Sequence, residues 1–113
     1  MPMIFGFGEH RRQLLESEVE RIRAELPTLG IERAYLIGDF AKGEVKATTG
    51  LEFLVVHNTD APYTSRPDFF TSHILPRAAC TWYVYTPDEF ASLSSEDGAI
   101  ARAMNYGEEI YAA

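Results

Sequence analysis

The segment Leu-Glu-Phe-Leu-Val-Val-His at residues 51–57 restricts the fold of this chain more than any other. It is short, apolar and rich in β-branched and aromatic residues, and it reads as a β-strand. Successive side chains of a strand point to opposite faces, so Leu51, Phe53 and Val55 share one face and Glu52, Leu54 and Val56 the other. An acid on the same face as Leu54 and Val56, near the start of the strand, is the first sign of a polar site.

The remaining elements follow from periodicity and punctuation. Residues 9–26 read as a helix, because Leu15, Val19, Ile22 and Leu26 recur at helical steps and stack on one face. Pro27 and Gly30 close it. Residues 33–38, Arg-Ala-Tyr-Leu-Ile-Gly, form a short buried strand, and residues 39–43 a turn with one helical turn at most. Residues 58–67 carry two prolines and read as a loop. A helix is expected over 68–75, stopped by Pro76, and a third strand over 79–85. Thr86-Pro87-Asp88-Glu89 combines a threonine cap, a proline in the first turn and a glutamate three residues after the cap, the pattern of a capping box. A further helix is expected over 96–105, capped by Ser94 or Ser95 and ended by Gly107, and a last short strand over 109–111. The order is helix, strand, strand, helix, strand, helix, helix, strand. One mixed sheet with helices packed mainly on one face is the economical layered arrangement, an α/β (α+β) fold.

With 113 residues the chain is about one domain in length, read as a single domain over 1–113. The excess of 17 acidic over 10 basic residues, a net charge of −7, argues against direct nucleic-acid binding, which needs several cationic phosphate contacts, and against an anionic membrane surface. The single cysteine, Cys80, excludes an internal disulfide and a Cys-rich zinc site. No apolar run approaches the length of a membrane span. Residues 1–7 are apolar but Gly-broken and lack a basic region, which argues against a signal peptide, so the expected location is cytoplasmic. Those residues need cover, from a sheet edge or a subunit interface.

Residues 38–56, GDFAKGEVKATTGLEFLVV, resemble the signature of the minimal nucleotidyltransferase domains of the DNA polymerase β-like superfamily. The family pattern is Gly-Ser, three residues, a Gly, then Asp-x-Asp opening an apolar strand. Gly38 and Gly43 stand where the family has its glycines, and Leu54-Val55-Val56 matches the strand. Tyr35-Leu36-Ile37 matches the strand leading into the motif, Tyr85-Thr86-Pro87-Asp88-Glu89-Phe90 a frequent strand-to-helix junction, and Gly107-Glu108-Glu109-Ile110-Tyr111 a frequent ending. The likeness therefore covers nearly the whole chain. It implies the nucleotidyltransferase fold, with Gly38, Asp39 and Gly43 at the nucleotide. It also implies magnesium held by carboxylates, where two ions about 3.5–4 Å apart activate the attacking hydroxyl and stabilise the leaving pyrophosphate.

The sequence departs from that pattern at each catalytic position. Asp39 replaces the serine, Gly50 the first acid and Glu52 the second, and the register set by Thr86-Pro87 puts Tyr83 at the third. The motif is degenerate, with Glu52 as the surviving ligand if the protein is active. Asp39, Glu44 and Glu52 could converge on a single Mg²⁺. Alternatively Asp39 caps a turn, Glu44 is solvated and Glu52 pairs with Lys42 or Lys46. His10, His57 and His73 show no metal-ligand spacing. Cys80 reads as a small buried thiol, while Tyr83 and Tyr85, opposite Trp82 on their strand, are either packing groups or a lining for a nucleotide base.

Three functions are open at this level. One is a protein that has lost catalysis and acts through a small helical protein partner, as in two-component toxin–antitoxin systems, or as a homodimer. The second is an active Mg-dependent enzyme moving AMP from ATP to a protein or small-molecule hydroxyl. The third is a module that binds ATP or another nucleotide without transferring it.

Overall fold

The computed structural model describes residues 2–93 and 98–113, and for residues 2–7 the backbone course alone. The first helix, α1, runs Pro2–Glu25, beginning seven residues before the apolar stripe suggested. Pro2 suits a first helical turn, where its missing N–H costs nothing, and Gly6 and Gly8 are weak helix formers rather than breakers. A 3₁₀ turn over Leu26–Leu29 then ends at Gly30 in the left-handed conformation. The expected stripe is buried, with Leu15, Ile22 and Leu26 fully enclosed.

Strand β1 (Arg33–Ile37) leads into the one-turn helix α2 (Gly38–Ala41), and β2 covers Leu51–Val56. Helix α3 (Arg66–Ile74) crosses over to β3 (Cys80–Tyr85). Helices α4 (Pro87–Leu93) and α5 (Gly98–Tyr106) precede β4 (Glu108–Ala112). The expected cap of α5 at Ser94 or Ser95 lies outside the described residues. The sheet order is β3-β2-β1-β4. β1 is antiparallel to β2 and β4, and β2 is parallel to β3, so the sheet is mixed.

Two cores lie on opposite faces of this sheet. On one, α1 and α3 cover Ala34, Leu36, Leu51, Phe53, Val55 and Val84. There Trp82 stacks on Phe53 at 4.6 Å and on Phe70 at 5.1 Å between ring centroids. On the other face Tyr35, Ile37, Leu54, Val56 and Tyr85 pack with Ala99, Ile100 and Ala103 of the shorter helix α5. The larger helical layer is thus on one side, and α5 supplies a smaller one on the other.

Polar contacts fasten the helices to the sheet. The Glu89 N–H donates to Thr86 Oγ1 at 3.2 Å and the Thr86 N–H to Glu89 Oε1 at 2.9 Å, closing the capping box read from the sequence. The buried Arg66 joins the same point, donating to the Val84 carbonyl at 3.1 Å and to Glu89 Oε1 at 2.6 Å. On α1 the buried Glu18 accepts from Arg21 at 2.8 and 2.9 Å and from the backbone N–H of Arg77, while Arg21 also reaches the Ile74 carbonyl at 3.2 Å.

The Arg21 hydrogen bond, against the opposing pull of burial, holds the Glu18 carboxyl below its ordinary value of 4.5. A carboxylate with a depressed folded pKa stabilises above the unfolded value and loses that contribution as pH falls through the folded one. Melting temperature is therefore expected to fall more steeply in the wild type than in Glu18→Gln as pH drops below about 4.5, as followed by circular dichroism.

Candidate functional site

The register of the sheet gathers the sequence-predicted residues at one end of it. Glu52 lies opposite Ile37 of β1 and Thr81 of β3, so its side chain emerges where β1 ends and α2 begins. Gly38 is the first residue of α2, with φ +84°, a region that L side chains rarely adopt. A Cβ at residue 38 would overlap the Glu52 carboxylate, coming within 2.7 Å of its Cδ. The glycine thus gives room to the glutamate of the neighbouring strand. Its N–H donates to the Tyr106 hydroxyl of α5 at 3.2 Å.

Asp39 and Gly43 have different places. Asp39 is the second residue of α2 and is exposed. It does not cap the turn through its side chain, since Ile37 occupies the cap position without a side-chain bond, and it is the Asp39 carbonyl that accepts from Lys42 and Glu44 N–H at 3.1 and 2.9 Å. Gly43 takes φ +82° and reverses the chain, its N–H donating to the Phe40 carbonyl at 3.0 Å. It is exposed and does not line the cleft beside Glu52. That open cleft, about 430 Å³, is bordered by Asp39, Lys46, Thr48, Thr49 and Thr81.

The partner of Glu52 is neither Lys42 nor Lys46. Arg102 of α5 donates to Glu52 Oε1 at 3.0 Å, from 50 residues away. The guanidinium lies over the Tyr83 ring, 5.3 Å from its centroid, and the Tyr83 hydroxyl is 3.5 Å from Glu52 Oε1. Burial pulls the Arg102 pKa down, but its hydrogen bonds to Glu52 and then to Tyr83 outweigh that and raise it. The cation is fixed in its charged form. Tyr106, one turn after Arg102, also carries Lys42 Nζ 4.9 Å from its ring centre.

Magnesium requires oxygen ligands in near-octahedral array, usually one or two carboxylates plus phosphates. The residues present do not fit that demand. Tyr83 faces the site where the resemblance puts a third acid, and Glu52 already has an arginine against it. A Cβ at Gly50, the position of the first acid, would lie 2.8 Å from the Ala79 carbonyl oxygen, so the backbone has closed over the room a side chain would need. Among the described residues no three His, Cys, Asp or Glu side chains come together, so Asp39, Glu44 and Glu52 do not converge.

The other singled-out residues are packed for structure. His57 rests against Phe69 and Phe70, and burial lowers its pKa. The half-buried Cys80 thiol is pushed up to about 11, chiefly by burial, which leaves little thiolate near neutrality. Tyr85 is buried, with the ring of the exposed Tyr63 5.6 Å away, while Tyr83 alone of the pair faces Glu52.

No protein-family model matches this chain, and no curated protein does. Among solved structures, a chain of "the toxin-antitoxin with AMP-PNP" shares the fold with a TM-score of 0.50 and 11% identity over 80% of this chain and 73% of that one. A protein from Sulfolobus solfataricus, provisionally described as a nucleotidyltransferase, aligns with a TM-score of 0.49 and 19% identity over 78% of each chain. The mixed four-stranded sheet with α1 and α3 on its larger layer matches the arrangement expected from the element order. The chain shares its fold with that toxin–antitoxin chain. No helix among the described residues is long and apolar enough to cross a membrane.

The crowding of residue 38 by Glu52 gives a direct check. Gly38→Ala is expected to destabilise by about 2–3 kcal/mol. The left-handed backbone accounts for about 1–2 kcal/mol of this, and displacement of Glu52 for the rest. In a Glu52→Ala background the loss should shrink to the backbone part alone, as read from urea denaturation midpoints.

Proposed function

We propose that this chain is a nucleotidyltransferase-fold protein that acts by binding and has lost most of its capacity for metal-dependent transfer. The observation that carries the reading is the composition of the site itself. Of the three carboxylate positions implied by the motif, only Glu52 holds an acid, and that acid is paired with Arg102. The ligand favoured is a small helical protein partner, in an antitoxin-like role. The solved toxin–antitoxin chain supports this through its common fold, and the net charge of −7 suits a partner with a basic face.

Purified protein incubated with ATP and Mg²⁺ is expected to release no pyrophosphate above background, with wild type and Glu52→Ala indistinguishable. Metal-dependent release by the wild type that vanishes in Glu52→Ala would establish the alternative, an enzyme moving AMP from ATP to a protein or small-molecule hydroxyl.

A second reading, binding of a nucleotide without transfer, is favoured by the cleft. Lys46 and the hydroxyls of Thr48, Thr49 and Thr81 border it, and the similar toxin–antitoxin chain was solved with AMP-PNP. Calorimetric titration with AMP-PNP separates the two. Saturable heat that is unchanged by removing Mg²⁺ supports a binding module, and no heat in either condition leaves the protein partner as the ligand.

A further inference from the structure

We infer that the cluster of Arg102, Glu52, Tyr83, Tyr106 and Gly38 is a fixed-charge latch that fastens α5 to the sheet and closes the Glu52 carboxylate to divalent cations. This rests on the reading of an impaired site and extends it, by giving the remaining acid a different task.

The apolar anchorage of α5 is weak. Its buried residues are Ala99, Ile100 and Ala103, two of them alanines, so the helix hides little hydrocarbon against Tyr35, Ile37 and Leu54. Its position therefore needs other support. Arg102 and Tyr106 are four residues apart and so lie on one side of the helix. Arg102 reaches Glu52 of β2 at 3.0 Å, and the Tyr106 hydroxyl accepts from the Gly38 N–H at 3.2 Å, so one helical turn holds both the start of β2 and the start of α2.

Charge then decides what else can enter. Glu52 is about one quarter exposed and Arg102 about one third, with side-chain values of 28% and 35%. A carboxylate so placed needs a cation, and the guanidinium supplies one with a donor already on Oε1. Tyr83 completes the arrangement by lying under the guanidinium plane, 5.3 Å away, where an aromatic face attracts positive charge. A divalent ion at Glu52 would have to displace a charge that its own hydrogen bonds keep from deprotonating, and among the described residues no group of three His, Cys, Asp or Glu side chains forms to hold it.

Two measurements on the full chain test the latch. In the first, Mn²⁺ is titrated to 1 mM-scale concentration, on the order of a weak carboxylate site, while amide resonances are followed by NMR. Broadening at Gly38, Glu52 and Tyr83 is expected to be no greater than at the exposed acids Asp68 and Glu108. Selective, saturable broadening at the three would overturn the closure to cations, and it would leave the impaired-catalysis reading standing unless pyrophosphate release accompanied it. In the second, Arg102→Met is expected to lower the melting temperature by roughly 4–8 °C, with Arg102→Lys falling between it and wild type. Adding Glu52→Gln to Arg102→Met should then change the melting temperature by less than half of what Glu52→Gln does alone. Strictly additive effects, or an Arg102→Met protein that melts like wild type, would overturn the latch.

Discussion

Enclosure of β2 on both faces is the constraint from which the rest of this structure follows. Five of its six residues are buried, and Glu52 alone keeps some contact with solvent. A strand of this kind requires neighbours on both edges and a layer over each face. β1 and β3 supply the edges, α1 and α3 one layer, α5 the other. The single acid in such a strand must find a cation or a hydrogen-bond donor, since an uncompensated charge there is costly. The charge pattern around Glu52 is thus a consequence of the packing that encloses its strand.

The same logic explains why the turn after β1 looks like a nucleotide-binding motif yet is occupied by the protein's own groups. Gly38 stands where the resemblance puts approaching phosphates, and the Glu52 side chain fills the space a Cβ would need. Its N–H is bonded to Tyr106. Gly50 likewise has the Ala79 carbonyl against it, held there as Leu51 N–H donates to Ala79 at 2.8 Å. At residues 38 and 50 alike, the chain's own atoms occupy the room that a side chain would need.

What was legible in the sequence was what depends on near neighbours. The α1 stripe, the alternation of β2, the capping box at Thr86 and the element order all follow from residues within a few positions of one another. The start of α1 at Pro2 was not legible, because the residues before Glu9 show an apolar composition without helical periodicity. The site was legible in its positions and not in its partners. Glu52 and Tyr83 share a face, as strand alternation requires, but proximity in sequence suggested Lys42 or Lys46 as the counter-ion. The pairing with Arg102 spans 50 residues. One signal for it exists in α5, where Arg102 and Tyr106 recur at helical spacing beside Ala99 and Ala103. A cation bordering so small an apolar face needs an acid to meet.

Trp82 offers a last consequence. It is the only tryptophan of the chain, 4% exposed and held between Phe53 and Phe70. Those rings come from three elements, β2, β3 and α3, so the indole sits at the joint of the parallel crossover. Its neighbours are aromatic rings, and its Nε1 has no hydrogen-bond partner among the described residues. The chain therefore carries an intrinsic optical probe at its centre: emission from this one fluorophore reports the assembly of the sheet with its larger helical layer, with no label and no contribution from any second indole.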